Sequence, residues 1–419
     1  MLLNRDLDVI KSRQTQTDET VVASVREILA GVRTGGDEAV RFYAQNYDGF
    51  IDSSLLVTDA EIDAAVRNTD REFIKILKRA ADQITDFHVN QVEKSWGIYK
   101  DNGVIMGQLV RPLNRVALYV PGGTAAYPSS VLMNGIPAAL AGVKDIVMFT
   151  PVKSDGKVLD AILAAADIVG CRKIYKIGGA HAIAAAAYGT ETILKVDKIV
   201  GPGNIYVATA KRMVYGEVDI DMIAGPSEVL IIADETANPK YIAADLMSQA
   251  EHDELASAIL VTTSEKLIKE TEEEIERQLA YLNRKDIITQ SLECYGAAVH
   301  AESLDEAFAI SNAIAPEHLE ILTADPLSHL PKVINAGSVF LGENNPEPLG
   351  DYMSGPNHVL PTSGTAKFYS PLGVYDFVKR SSYSYYPREA LSALKDDVIK
   401  FAMAEGLDAH ANAVKVRFE

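Results

Sequence analysis

Along residues 19 to 88 the apolar positions recur at helical spacing, with Val21, Val22, Val25, Ile28 and Leu29 forming one stripe. This stretch reads as helical scaffold behind a short polar leader. The period then changes. Arg115 to Val120 (RVALYV) has the β-branched content of a strand and runs into the turn Pro121-Gly122-Gly123. The same rhythm returns in Asp145 to Thr150, in Lys173 to Ile177 before Gly178-Gly179, and in Lys198 to Val200 before Gly201-Pro202-Gly203. Helical stretches at Ser130 to Ala141, Lys157 to Ile168 and Ala180 to Tyr188 fall between these strands. Strands alternating with helices predict parallel βαβ units, and glycine turns at their ends suit a ligand crevice. The segment is therefore a nucleotide-binding candidate.

A second α/β unit begins near residue 229, with a strand at Glu228 to Ala233, a helix at Pro239 to Glu251 and further strands at Ala258 to Thr262 and Ala297 to His300. The acidic amphipathic helix Glu265 to Leu282 presents a solvated face rather than a site. From Gly337 to Ser370 the composition shifts to Gly, Pro, Ser and Asn, the pattern of a long loop kept for a functional reason, and it is read as an active-site wall. Pro387 to Glu419 reads as helix to about Gly406, followed by a strand-like Ala413 to Phe418. Internal repeats and low-complexity tracts are absent from the sequence.

Length and charge narrow the class. A chain of 419 residues exceeds what one core usually supports, and 47% hydrophobic with 23% charged residues is ordinary globular composition. A net charge of -18 opposes nonspecific attraction to nucleic acid or anionic membrane. Two cysteines, Cys171 and Cys294, make neither a disulfide framework nor a thiolate metal site. Charge at Arg5 and Asp6 interrupts any export signal, and apolar runs such as Ile136 to Val143 stop far short of a membrane span, so a cytoplasmic protein is expected.

Candidate chemistry is scattered. Gly201-Pro202-Gly203-Asn204 sits where a dinucleotide fingerprint belongs, but Tyr206 stands in place of its third glycine. Gln249 and His252 lie three apart on one helix and can face one ion, yet they also suit a polar cluster. Asp351 and His410 are residue types that bind zinc, and spacing alone does not join them to that pair. Glu317-His318 sets an acid beside a base, with the imidazole of His358 further on.

Taken together, the blocks YVPGG (119–123), GGAHAIAAAAYGTE (178–191), VDKIVGPGN (196–204), AGPSEVLIIAD (224–234), SQAEH (248–252), PEHL (316–319), AGSVFLG (336–342), GDYMSGPNHVLPT (350–362) and AHANAV (409–414) resemble those of the histidinol dehydrogenase family, in the family's order. The resemblance implies an aldehyde-dehydrogenase-like α/β fold of two incomplete Rossmann-like domains with small N- and C-terminal extensions. Residues 119–228 would be the NAD-binding domain and 17–118 with 229–372 the scaffold carrying the zinc and substrate residues. Residues 1–16 would be an N-terminal arm and 373–419 a dimerisation arm.

The same resemblance implies an enzyme that oxidises L-histidinol to L-histidine through L-histidinal with two NAD+, the last steps of histidine biosynthesis. Gln249, His252, Asp351 and His410 would hold Zn2+, His318 would be the general base and Glu317 would activate water. Ser129, Ser227, His358 and Glu405 would join His318 and the four metal ligands around the substrate. Tyr119, His181 and Asn204 would meet NAD, and His181 stands where the family usually has glutamine. The family's intertwined homodimer would supply Glu405 and His410 from the partner subunit. A related zinc and NAD polyol dehydrogenase acting on another small alcohol, such as a sulfonated propanediol, is the alternative. Glu405 and His358 suit an amine and carboxylate substrate and favour histidinol.

Overall fold

The computed structural model describes residues 19–49, 54–122, 127–153, 155–223 and 225–419. The expected arm at residues 1–16 and Gly123 of the first glycine turn lie outside them. The chain divides into a larger compact unit, Met1–Gln91 with Leu113–Phe377, and a smaller one, Val92–Pro112 with Val378–Glu419.

The larger unit holds two parallel five-stranded sheets. In the first, the order is Lys173–Tyr175, Asp145–Phe149, Arg115–Tyr119, Lys198–Val200, Asp219–Ile220. Its central strand sends alternate residues to opposite faces, as the pleat requires. Val116, Leu118 and Val120 pack with Leu132, Met133 and Ile162 of helices Pro128–Ala141 and Asp160–Ile168. Ala117 and Tyr119 pack with Val25 and Ile28 of Glu19–Tyr43 and with Ile183 of Gly179–Tyr188. A parallel sheet covered on both faces explains why its strands read as unbroken apolar runs. The stripe foreseen in the first helix buries Val21, Val25, Ile28 and Leu29, with Val22 only half-buried, and the helix kinks at Gly36, where φ is 52°.

In the second sheet the order is Ala297–His300, Ser257–Thr262, Glu228–Ala233, His318–Leu322, Ser338–Leu341. Val229, Ile231 and Ala233 face helices Pro239–Ala250 and Glu265–Leu279, while Leu230 and Ile232 face Leu304–Ile314. The mixed α/β class with Rossmann-like parallel sheets is thus the fold the chain adopts.

Two expectations need correction. The stretch from Gly337 to Ser370 is not all loop, because Ser338–Leu341 is an edge strand and Glu347–Tyr352 a short helix. Ala413 to Phe418 is not a strand: Asp408–Lys415 is helical, its alanines favouring helix over the β-branched Val414 and Val416.

The smaller unit is a three-stranded antiparallel sheet, Trp96–Tyr99, Ile105–Pro112, Val378–Tyr385, with helices Arg388–Ala404 and Asp408–Lys415. No helix among the described residues is long and apolar enough to cross a membrane.

Candidate active site

The reactive groups gather at the amino-terminal end of the second sheet. Helix Leu304–Ile314 stops at Ala315, which takes the left-handed φ of 56°, and the chain turns through Pro316 into strand His318–Leu322. The neighbouring edge strand locks this entry, since the Ser338 N–H donates to the Glu317 carbonyl at 2.8 Å. His318 pairs in register with Val229, so its ring lies beside the start of strand Glu228–Ala233. With its proton on Nδ1, the ring donates to the Glu228 carbonyl oxygen at 2.9 Å. That bond leaves the Nε2 lone pair free, 3.7 Å from Oε1 of Glu347. The Glu228 N–H in turn donates to Oε2 of Glu317 at 2.8 Å.

Burial acts oppositely on this acid and base. It pushes His318 down to about 4, further lowered by His252 and His358, against the raising effect of the Asp351 charge and the Glu228 carbonyl. It raises Glu317 well above the carboxylate range, helped by the Glu228, Asp351 and Glu347 charges. Near neutral pH the imidazole is neutral and able to accept a proton.

Ligand-type atoms of His318, Glu347 and Asp351 all lie within 4.8 Å of one another. Asp351 Oδ1 sits 3.5 Å from Nδ1 of His358, whose Nε2 is 3.4 Å from the Ser130 hydroxyl. Burial works to raise Asp351, but the hydrogen bond to His358 and the electrostatic influence of the His358, His318 and His252 imidazoles outweigh it and hold Asp351 low. Gln249 is buried on helix Pro239–Ala250, and its Oε1 has no hydrogen-bond partner among the described residues. A buried amide oxygen without a donor fits a cation of the zinc type, which accepts N and O donors.

Of the residues named from the sequence, Glu317, His318, Asp351 and His358 come together here, with His252 exposed but close enough to act on Asp351 and His318. Ser129 is half-buried in the first turn of helix Pro128–Ala141, and the bond to His358 is made by its neighbour Ser130. Ser227 is half-buried, and its carbonyl accepts from the Ser257 N–H at 2.9 Å. Glu405 and His410 belong to the smaller unit, where with Val398, Phe401, Leu407 and Ala413 they line a groove of about 720 Å³. Sequence reasoning missed Glu347. Its spacing of four residues from Asp351, one helical turn, was the available signal.

The proposed cofactor residues lie at the carboxyl ends of the first sheet. The buried Tyr119 hydroxyl accepts from the Gly179 N–H at 3.0 Å, and burial pushes this phenol up to about 12. Gly201, at φ 115°, comes so near that a Cβ there would meet the Tyr119 carbonyl oxygen at 2.1 Å. Tyr119 therefore joins two glycine turns. Asn204 caps helix Ile205–Val214 by accepting from the Tyr206 and Val207 N–H groups, both at 3.1 Å. His181 is buried, with Nε2 3.2 Å from Oδ2 of Asp48. Glycine turns at the ends of parallel strands, one opening helix Gly179–Tyr188, fit a dinucleotide backbone.

Against known proteins, residues 11–418 match the family model described as histidinol dehydrogenase. Histidinol dehydrogenase of Lactococcus lactis is 61% identical over 411 residues, which span 98% of this chain and 95% of that protein. A crystal structure of histidinol dehydrogenase from Elizabethkingia anophelis superposes with a TM-score of 0.94 at 40% identity, covering 99% of this chain and 96% of that one. An NAD-dependent aldehyde dehydrogenase from Sinorhizobium meliloti shares the fold at a TM-score of 0.51 and 12% identity, with 87% of each chain covered.

Proposed function

Because the chain belongs to the histidinol dehydrogenase family, a family of oxidoreductases, we propose that it oxidises L-histidinol through L-histidinal to L-histidine with two NAD+ and one bound Zn2+. The observation that carries this reading is the buried His318, whose Nδ1 is engaged by the Glu228 carbonyl so that Nε2 is left to take a proton. His318 removes the hydroxyl proton as the alcohol carbon gives up hydride. Glu317 then activates the water that adds to the aldehyde, and His318 takes the proton of the resulting hydrate before the second hydride leaves. The balance is one alcohol, one water and two NAD+ giving one carboxylate, two NADH and three protons.

Gln249, His252 and Asp351, with His410 of the partner subunit in a homodimer, are the residues that would hold zinc. Bound zinc would supply a Lewis acid whose main role is to hold the substrate and its aldehyde in position. NAD+ supplies the hydride acceptor, and residues 119–228, through Tyr119, His181 and Asn204, would hold it. Glu405 suits the substrate's cationic amine, and His358, steadied by Asp351 and Ser130, suits its polar end.

The division of labour is tested with L-histidinol and L-histidinal as separate substrates. Glu317→Gln is expected to slow aldehyde oxidation far more than alcohol oxidation, and His318→Asn to slow both by about 10²–10⁴-fold. Equal losses in E317Q, or an H318N enzyme active on either substrate, would overturn the assignment.

A further inference from the structure

Behind the site lies a second pair of buried acids to which the chemistry above gives no task. Strand His318–Leu322 sends Leu319 and Ile321 to one core and Leu322 to the other, so His318 and Glu320 share the face with Leu322. On that face packs helix Pro239–Ala250, whose Asp245 carboxyl lies within interaction range of that of Glu320. Glu320 is fully buried and Asp245 nearly so. The Oε1 of Glu320 accepts from the Glu347 N–H at 2.9 Å. Its Oε2 finds no N–H or hydroxyl donor, and no ion pair reaches either acid among the described residues. Two carboxyl groups in contact, desolvated and without a cation, stay together only with a proton between them. Burial accordingly raises both; the Asp245 charge adds to the rise of Glu320, while the interaction with Glu320 works against the rise of Asp245.

The placement of this pair matters more than its chemistry. Asp245 lies one helical turn before Gln249 on the helix leading to His252. Glu320 lies two residues after His318 on one strand face. The Glu347 N–H that Glu320 holds opens the helix on which Asp351 stands one turn later. We propose that Asp245 and Glu320 form a hydrogen-bonded carboxyl pair that positions the metal-binding side chains, tying together the segment that carries Gln249 with His252, the segment of the base His318 and the segment of Asp351. The proposal rests on the reading of these residues as a zinc site. The pair touches neither metal nor substrate, so both are positioning residues.

The test is the Zn2+ affinity of the full-length protein, measured by competition with a chromophoric chelator, alongside the thermal midpoint of each variant. Glu320→Gln keeps an acceptor for the Glu347 N–H and gives Asp245 an amide donor, so its affinity should stay within about threefold of the parent. Glu320→Met fills similar space with neither group, and a tenfold or greater loss of affinity is expected, the range seen when partners of metal ligands are removed. Its midpoint should hold or rise, because a buried acid pair is replaced by an apolar side chain. Asp245→Leu should match it, and Asp245→Asn should match Glu320→Gln, so the proposal does not hang on one variant folding. Unchanged affinity in E320M and D245L, or equal loss in E320Q and E320M, would overturn the positioning role while the zinc site stands. Failure of the parent protein to bind Zn2+ would overturn the zinc reading itself and this role with it.

Discussion

Glu317 and His318 are adjacent, yet the same burial makes one a reluctant anion and the other a reluctant cation. For His318 this is also a statement about folding. An unfolded histidine titrates near 6.5, and in the fold this one titrates at about 4. A depressed folded value means that stability is fully present above about 6.5 and is lost as pH falls through about 4, by roughly 3 kcal/mol in all. Glu317, raised in the fold, works in the opposite sense, losing stability as pH rises through its folded value. Denaturant titrations of chelated protein from pH 7 to 4 isolate the histidine when H318N is run beside the parent. The parent should lose about 3 kcal/mol more than the variant over that range. Identical curves would show that His318 is not buried neutral.

Elements explain what the sequence disclosed and what it hid. Strands Lys198–Val200, Glu228–Ala233 and Ala297–His300 were legible to the residue, because a strand covered on both faces is apolar throughout and glycine or polar turns punctuate it. His318–Leu322 is an interior strand of its sheet yet does not read as a strand in the sequence, since His318 and Glu320 put polar groups on a buried face where only their partners make them tolerable. Ser338–Leu341 was hidden by the glycines and prolines around it. Asp48, Glu228 and Glu347 were invisible as site neighbours because their roles depend on contacts between distant segments. Gly201 shows the reverse case, a turn residue whose need is plain once the fold is known. Gly201→Ala would force a left-handed φ on alanine and drive its Cβ into the Tyr119 carbonyl. A loss of more than about 1 kcal/mol in stability is expected, with weaker NAD+ binding by calorimetry. An unperturbed variant would remove Tyr119 and the Gly201 turn from the cofactor site.

As a whole molecule, the chain has a large, well-cored unit and a small one whose helices bury only Ala390, Ala402 and Ala411. Trp96, Tyr99 and Phe401 of the small unit are exposed. Apolar surface of this kind suits the proposed homodimer, in which the C-terminal segment would complete the partner's site. Subunit complementation tests that sharing: inactive H318N and inactive His410→Ala chains, unfolded together and refolded, should regain about a quarter of the parent activity, since half the dimers are mixed and each has one intact site. No recovery would mean that each chain supplies His410 to its own site. The most direct measurement of all is the NADH released per L-histidinol consumed by purified, zinc-loaded protein, with a chelated sample beside it. About two NADH per substrate, lost on chelation, is the expected result for a four-electron oxidation assisted by a metal. No NADH from L-histidinol with any added divalent metal would contradict the proposed reaction.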